Sequence, residues 1–174
     1  MRAARFLSAI MLSASFISLD AVAVRAESAT TPAALEGEQL VALTILSSSS
    51  ERRDITVSEI EALGLREVTT RSPWEAGELK LEGVLLRELL RLAGIENAEA
   101  VTVRAEDGYT QTIPREDWEK WPLILATRQD GEALTRRTQG PTRIVYPLND
   151  YPELDTPDYK PRWIWTITSI EATK

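Results

Sequence analysis

Short apolar segments separated by turn residues dominate the chain and predict mainly β-strands. Residues 40–46 form a partly β-branched run, and residues 66–71 also favour an extended strand. In residues 101–105, Val and Ala alternate with Thr and Arg; the Asp107-Gly108 turn follows, and residues 109–113 predict the returning strand. Because alternation with a period of two is typical of a strand with one buried face, these two segments predict a β-hairpin.

A second set of strands is predicted in the C-terminal half. The apolar residues 123–126 and 144–146 flank an Asp-Gly turn, a charged loop and the Gly140-Pro141 corner, which together indicate strand, turn, loop and strand. Residues 148–161 contain three prolines and no periodicity, so they predict a long loop. Residues 163–171 are rich in aromatic and β-branched side chains and predict the closing strand.

Three short helices are predicted between the strands. Ser58 and Glu61 have the spacing of a capping box, which predicts a helix from there to residue 63, before Gly64. From residue 84 to residue 93, apolar side chains recur with the helical period, and Gly94 is the expected end. Pro114 predicts the start of a third helix that continues through residue 118.

The first 26 residues have the pattern of a secretory signal peptide. Arg2 and Arg5 precede an apolar stretch over residues 6–19, and Val24-Arg25-Ala26 is a small-residue cleavage site. The stretch is short and serine-rich for a membrane span, so a retained anchor is the less favoured alternative. We therefore expect a periplasmic or secreted protein that is not inserted in a membrane after cleavage. Residues 27–39 predict a flexible leader, and residues 40–174 predict one domain.

The net charge and the absence of His and Cys exclude several classes of function. Removing residues 1–26 takes away three arginines and one aspartate, which moves the net charge from −7 to −9. Such an acidic surface makes nucleic acid an unfavourable partner. The chain has neither His nor Cys, which removes the commonest general base, the Ser-His and Cys-His nucleophile pairs and most zinc sites. A cofactor-free hydrolase would need a Ser-Lys or carboxylate pair, and no such motif stands out.

Five short motifs occur in one order along the chain. They are Gly-Val-x-Leu-x-x-Leu-Leu, Asp-Gly-Tyr, Leu-Ala followed by Asp-Gly-Glu-x-Leu, Gly-Pro-x-Arg-Ile-Val-x-Pro, and a basic residue before Trp. Each is weak alone, but together, over residues 79–171, the chain resembles the molybdopterin-binding domain of the sulfite oxidase family; residues 40–74 match more loosely. The resemblance implies an α+β fold with mixed and antiparallel sheets and short flanking helices.

The resemblance also raises the question of whether this chain binds molybdenum. In that family the metal is held by two sulfurs of the pterin cofactor and one cysteine thiolate of the protein, which this chain cannot supply. Ser72 lies nearest the expected position, and serine is a harder ligand with a higher pKa; the alternative is that Ser72 only precedes a proline turn. Family enzymes that are exported with their cofactor need adjacent arginines in the signal, and here Arg2 and Arg5 are separated by two alanines.

Basic and aromatic residues in the matching motifs are candidates for a ligand cleft. By resemblance, Arg143 and Arg162 would lie near the cofactor cleft, where a guanidinium suits an anion; the alternative is that each cation pairs with a carboxylate. Asp107, Gly108 and Tyr109 have a favoured structural role in a turn. The predicted cleft residues are Ser72, Trp74, Arg104, Tyr109, Arg143, Tyr151, Lys160 and Arg162. Trp118, Trp121, Trp163 and Trp165 are instead expected in the core.

The favoured functional hypothesis is an exported, stand-alone domain of this fold without molybdenum. It would act as a small-ligand-binding, sensing or accessory protein, without catalysis, for a small anionic ligand or for a membrane-associated sensor or redox partner. We expect no cofactor. The alternative is a molybdopterin-dependent oxidoreductase whose metal has no cysteine ligand.

Overall fold

The computed structural model describes residues 41–47 and 51–173, which form ten strands and three short α-helices. The predictions for the signal peptide over residues 1–26 and the leader over residues 27–39 lie outside the described residues. In chain order the elements are β1 (Val41–Leu46), β2 (Arg52–Thr56), α1 (Val57–Glu61), β3 (Arg66–Arg71), β4 (Glu78–Leu85), α2 (Leu86–Leu92), β5 (Ala100–Ala105), β6 (Thr110–Pro114), α3 (Arg115–Lys120), β7 (Ile124–Gln129), β8 (Glu132–Ala133), β9 (Arg143–Val145) and β10 (Ile167–Thr173).

The strands form two five-stranded sheets. The first has the order β2-β1-β10-β5-β6, and it is mixed because β1 pairs with β10 in parallel while its other pairs are antiparallel. The second has the order β3-β4-β7-β8, and all its pairs are antiparallel. β9 pairs with β7 on the edge away from β4, at residues 124–126, next to β8, which pairs at residues 128–129. This combination of sheets and few short helices is the α+β architecture that the sequence predicted.

Apolar side chains from both sheets and the helices form one core. Its fully buried members include Leu43, Ile55, Ile60, Leu81, Leu86, Leu89, Val101, Ile113, Leu125 and Ile170. On α2 the buried positions 86, 89 and 90 repeat with the helical period. On β5 the buried positions 101, 103 and 105 alternate with more exposed ones, as expected for a strand with one face on the core.

The starts of the first two helices were predicted wrongly. Helix α1 starts two residues early, because Thr56 at the end of β2 has the extended backbone of an N-cap and exchanges capping-box hydrogen bonds with Glu59, not Ser58 with Glu61. Val84 and Leu85 belong to β4, where they pair with β7, so α2 begins only at Leu86. An unbroken apolar run fits a buried strand and a helix equally well, which explains the second error.

Gly83 lets strands β4 and β7 approach closely. A Cβ atom built on Gly83 would lie 2.2 Å from the backbone oxygen of Leu125 and 2.5 Å from Cα of Ala126. These atoms are backbone, so no side-chain rotation could relieve the overlap. Glycine is therefore required at this position by packing.

Candidate functional site

A cavity of about 220 Å³ opens where three irregular segments of the chain meet. The segments are the loop that joins β3 to β4 (residues 72–77), the β5–β6 turn and the residues just before β10. The side chains that give the cavity its character are Trp74, Asp107, Tyr109, Lys160, Trp163 and Trp165. Four of these six are aromatic, so the cavity offers mainly ring surface with one carboxylate and one ammonium group.

The β5–β6 turn fixes Tyr109 at the cavity. Asp107 Oδ1 accepts a hydrogen bond from the Tyr109 backbone N–H at 2.8 Å, and Gly108 has the positive φ of 85° that the turn needs. The Tyr109 hydroxyl donates to the backbone oxygen of Pro161 at 3.0 Å. The ring is therefore held at both ends although 45% of the residue surface is exposed, and the cavity wall exists before any ligand arrives.

Trp74 is held by the residues on both sides of it. Its backbone N–H donates to Ser72 Oγ at 3.1 Å, so the Ser72 hydroxyl serves as the acceptor of a local turn. On the other side, Glu75 Oε2 lies 3.2 Å from Nη1 of Arg143. Trp74 itself is 56% exposed, which is unusual for so large an apolar side chain. A water-exposed tryptophan on a tethered loop is typical of a ligand-contacting position.

The Arg143 guanidinium is buried beneath that loop. Its side chain is only 3% exposed, and it donates to Glu75, Gln139 and, at 3.5 Å, Gln129. Its Nε is buried and has no hydrogen-bond partner in the described part of the chain. Burial lowers the pKa of Arg143, and the Glu75 carboxylate opposes that effect. Arg143 therefore holds the Trp74 loop and does not present an open cationic surface.

A second ion pair, buried on its Asp117 side, supports the part of the cavity wall near Pro161. Asp117 on α3 is 2% exposed, and its Oδ2 accepts hydrogen bonds from Arg162 Nη1 at 2.6 Å and from the Tyr146 hydroxyl at 2.7 Å. Burial, together with the Asp117 charge, raises the pKa of Tyr146 well above its ordinary value. The Arg162 guanidinium also lies 4.8 Å from the centre of the Tyr159 ring. Because Arg162 follows Pro161, this network fixes the backbone that accepts the Tyr109 hydroxyl.

The predicted cleft residues do not all come together. Trp74, Tyr109 and Lys160 line the cavity. Ser72 does not line it, and its hydroxyl accepts the hydrogen bond from the Trp74 backbone N–H. Arg143 and Arg162 lie in buried ion pairs, and Lys160 pairs with Asp155 at 3.4 Å. The last two predicted residues, Arg104, which is exposed on β5, and Tyr151, which packs against the core, do not line the cavity. Three of the four basic residues thus follow the carboxylate-pairing alternative.

Several residues at the site had no functional role in the sequence analysis. Trp163 and Trp165 were expected in the core; Trp163 is buried there, but both also line the cavity. Asp107 was assigned only to a turn, and no role was predicted for Glu75 and Asp117, the two carboxylates that pair with Arg143 and Arg162. Each lies 45 or 68 residues from its arginine, so no local spacing could reveal these pairs.

Comparison with known proteins agrees with the architecture and the motifs. Residues 22–149, more than half of the chain, match the sequence profile described as oxidoreductase molybdopterin binding domain. The chain belongs to this family. The structure is similar to that of the sulfane dehydrogenase SoxCD from Paracoccus pantotrophus, with a TM-score of 0.55 and 16% sequence identity. The similarity covers 75% of this chain but only 37% of that chain, and it establishes a sulfite-oxidase-like fold. No protein with a curated description matches significantly.

The residues of this family member do not fit a thiolate-ligated molybdopterin centre. The whole chain contains no cysteine, and the Ser72 hydroxyl already accepts the Trp74 amide. Within residues 41–47 and 51–173, no group of three or more acidic, His or Cys side chains is placed to hold a metal. The two guanidinium groups in family motifs are already neutralised by Glu75 and Asp117.

Among the helices of the described residues, none combines the length and the apolar character that a membrane span requires.

Proposed function

We propose that this family member is a non-catalytic binding protein whose aromatic cavity takes up a small ligand. The observation that carries the proposal is the cavity between Trp74, Tyr109, Trp163 and Trp165 in a chain without a thiol. Aromatic rings beside a few fixed polar groups are typical of small-molecule sites. The hydrogen bonds of Tyr109 and Trp74 support a preformed cavity, which lowers the ordering cost of binding.

We propose further that the mature chain acts outside the cytoplasm. There it would contact a membrane-associated sensor or redox partner, and this contact would depend on whether the ligand is bound. The pattern of residues 1–26 supports export. Fractionation of the source cells, followed by N-terminal sequencing, tests this location. A mature chain in the periplasm or medium that begins at Glu27 is expected, and an uncleaved chain in the cytoplasm would contradict it.

The absence of molybdenum is tested on protein purified from its native source without reconstitution. Elemental analysis is expected to give far less than one molybdenum per chain, and denaturation is expected to release no pterin fluorescence. A related enzyme of the family that carries the cysteine, purified in parallel, controls for loss of metal during purification. One molybdenum per chain would refute the proposal.

Ligand uptake is tested by tryptophan fluorescence, since three of the five tryptophans line the cavity. Titration with small organic solutes should change the emission of the mature chain. Trp74→Ala should raise the solute concentration that gives half of the emission change, without lowering the melting temperature much, because Trp74 is 56% exposed. The same half-maximal concentration in this variant and in the wild type would show binding elsewhere.

Family membership favours one second candidate, a molybdopterin-dependent oxidoreductase whose metal lacks a cysteine ligand. It predicts absorbance in the visible range and stoichiometric molybdenum in native material. The same elemental analysis therefore separates the two functions.

A further inference from the structure

The charges at the cavity are not balanced. Lys160 Nζ lies 3.4 Å from Asp155 Oδ1, so its positive charge is already compensated. Asp107 also lines the cavity, and within the described residues its carboxylate takes part in no ion pair. One of its oxygens accepts the Tyr109 N–H, which orients the carboxylate without neutralising it. The cavity therefore carries a negative charge, in a chain whose net charge is −7.

The aromatic lining, like that carboxylate, favours a cation. The faces of aromatic rings carry negative partial charge and attract cations, with the strongest attraction for tryptophan. Each such contact is stronger when water is excluded from it than when it is exposed. Trp74, Tyr109, Trp163 and Trp165 meet at this cavity beside Asp107. Several rings and one anion around a small space are the arrangement that recognises methylated ammonium groups.

We propose that the cavity binds a small methylated ammonium ion, with the aromatic rings around its head group and the Asp107 carboxylate as counter-ion. This inference rests on the proposed binding function and names its ligand class. The size is suitable, because a cavity of roughly 150 Å³ holds benzene, and about 220 Å³ accommodates a trimethylammonium head group with a short tail. This ligand class is cationic, whereas the sequence predicted an anionic ligand.

The structure gives an anion few groups to bind. Arg143 and Arg162 are held by Glu75 and Asp117, at 3.2 Å and 2.6 Å, and neither arginine lines the cavity. Lys160 would have to leave Asp155, and an anion would also approach the Asp107 charge. A methylated ammonium ion needs no such exchange, because it is only weakly hydrated and meets a carboxylate that lacks a cation.

The experiment compares a cation with its neutral isostere on the purified mature chain. Choline and 3,3-dimethylbutan-1-ol have nearly the same shape, but the second has carbon in place of the charged nitrogen. Binding is measured by isothermal titration calorimetry and by tryptophan fluorescence. We expect choline to bind at least about tenfold more tightly, since removing the charge removes both the ring and the carboxylate attraction. Acetate and inorganic phosphate are titrated as anionic probes.

Four variants assign the binding to this cavity. Asp107→Asn keeps the oxygen that accepts the Tyr109 amide, so the turn should survive while choline affinity falls about tenfold. Trp74→Ala should lower choline affinity at least about threefold. Lys160→Ala removes an ammonium group that lines the cavity and should strengthen choline binding. Glu119→Gln removes an exposed carboxylate that does not line the cavity, and it is the matched control for loss of one negative charge.

The possible outcomes separate the inference from the proposed function. Equal affinity for choline and its neutral isostere, or no choline binding at about 10 mM, would overturn the cationic class. Phosphate or acetate binding that Lys160→Ala abolishes would also overturn it and would restore the anionic class. An equal loss in Asp107→Asn and Glu119→Gln would show only a general effect of charge and count against the site. Stoichiometric molybdenum in native protein would refute the proposed function itself.

Discussion

The buried Asp117 carboxylate offers the sharpest test of how the cavity wall is held. It accepts hydrogen bonds from Arg162 and from the Tyr146 hydroxyl through a single oxygen, and its side chain is 3% exposed. Asp117→Asn keeps an oxygen acceptor but removes the charge. Asp117→Ala removes both and leaves the guanidinium, which is 21% exposed, without its partner.

The expected magnitudes follow from that geometry. A hydrogen bond to a charged group contributes about 1.5–3 kcal/mol and a neutral one about 1 kcal/mol, so Asp117→Asn should lower the free energy of unfolding by about 2–3 kcal/mol. Breaking a buried ion pair from one side costs about 3–5 kcal/mol; since the Arg162 guanidinium is 21% exposed to water, Asp117→Ala should cost about 3 kcal/mol. At about 2–4 °C per kcal/mol for a domain of this size, Asp117→Asn should lower Tm by about 4–12 °C.

A double-mutant cycle measures the ion pair itself. Asp117→Ala, Arg162→Met and the double variant are unfolded with urea at pH 7, and the three free energies are compared with that of the wild type. We expect the double variant to cost about 2 kcal/mol less than the sum of the single changes, because each single change leaves a partly buried charge alone. Tyr146→Phe, which removes only the hydroxyl, is the control and should cost about 1 kcal/mol.

Additive free energies in that cycle would refute the argument. They would mean that Asp117 and Arg162 are solvated independently, and the support of the cavity wall would then need another source.

Three further predictions concern packing and charge elsewhere in the domain. Gly83→Ala should cost at least about 3 kcal/mol in urea unfolding, because its Cβ would overlap the β7 backbone, whereas Gly94→Ala meets no atom within 4 Å and should cost only about 1 kcal/mol for its positive φ. Arg143→Ala should cost about 2–4 kcal/mol, since the side chain is 3% exposed and hydrogen-bonded. Burial alone would raise the pKa of Glu61, but hydrogen bonds, first of all from Arg128, lower it. Glu61→Gln should therefore cost about 1 kcal/mol above the unfolded pKa of about 4.3, and the difference should vanish as pH falls through the lower folded pKa.

Each of these predictions has a contradicting result. Equal destabilisation by the two glycine substitutions would show that the β4–β7 approach is looser than the structure has it. An unchanged Tm in Arg143→Ala would mean that the guanidinium is open to solvent, as an anion site would require. A Glu61→Gln difference that stays constant from pH 7 to about pH 3 would show that the carboxylate gives no pH-dependent stability.

Sequence patterns predicted those parts of the fold that local signals determine. The β5–β6 hairpin was predicted correctly because alternation and the Asp107-Gly108 turn lie within 15 residues. Strand β4 was missed although Leu79 and Leu81 are buried and alternate with Lys80 and Glu82. The apolar run from Gly83 to Leu86 hid the change from period two to the helical period.

Long-range pairings were beyond sequence reasoning for a physical reason. The parallel pairing of β1 with β10 joins segments more than 100 residues apart, and no turn chemistry specifies it. The same holds for the ion pairs of Arg143 and Arg162. The motifs identified both arginines as important, but only the fold brings Glu75 and Asp117 to them and so decides whether the cations face a ligand.

These two ion pairs connect the stability of the domain to the shape of its cavity. The pair of Glu75 with Arg143 anchors the loop that carries Trp74, and the pair of Asp117 with Arg162 anchors the segment whose Pro161 oxygen holds Tyr109. Neither arginine reaches the cavity, so both act by fixing parts of its wall. A change in either pair should therefore alter ligand affinity without altering the charge that the ligand meets. The arginines of the family motifs thus have a positional role here, and the proposed preference for a cationic ligand rests on Asp107 and the rings.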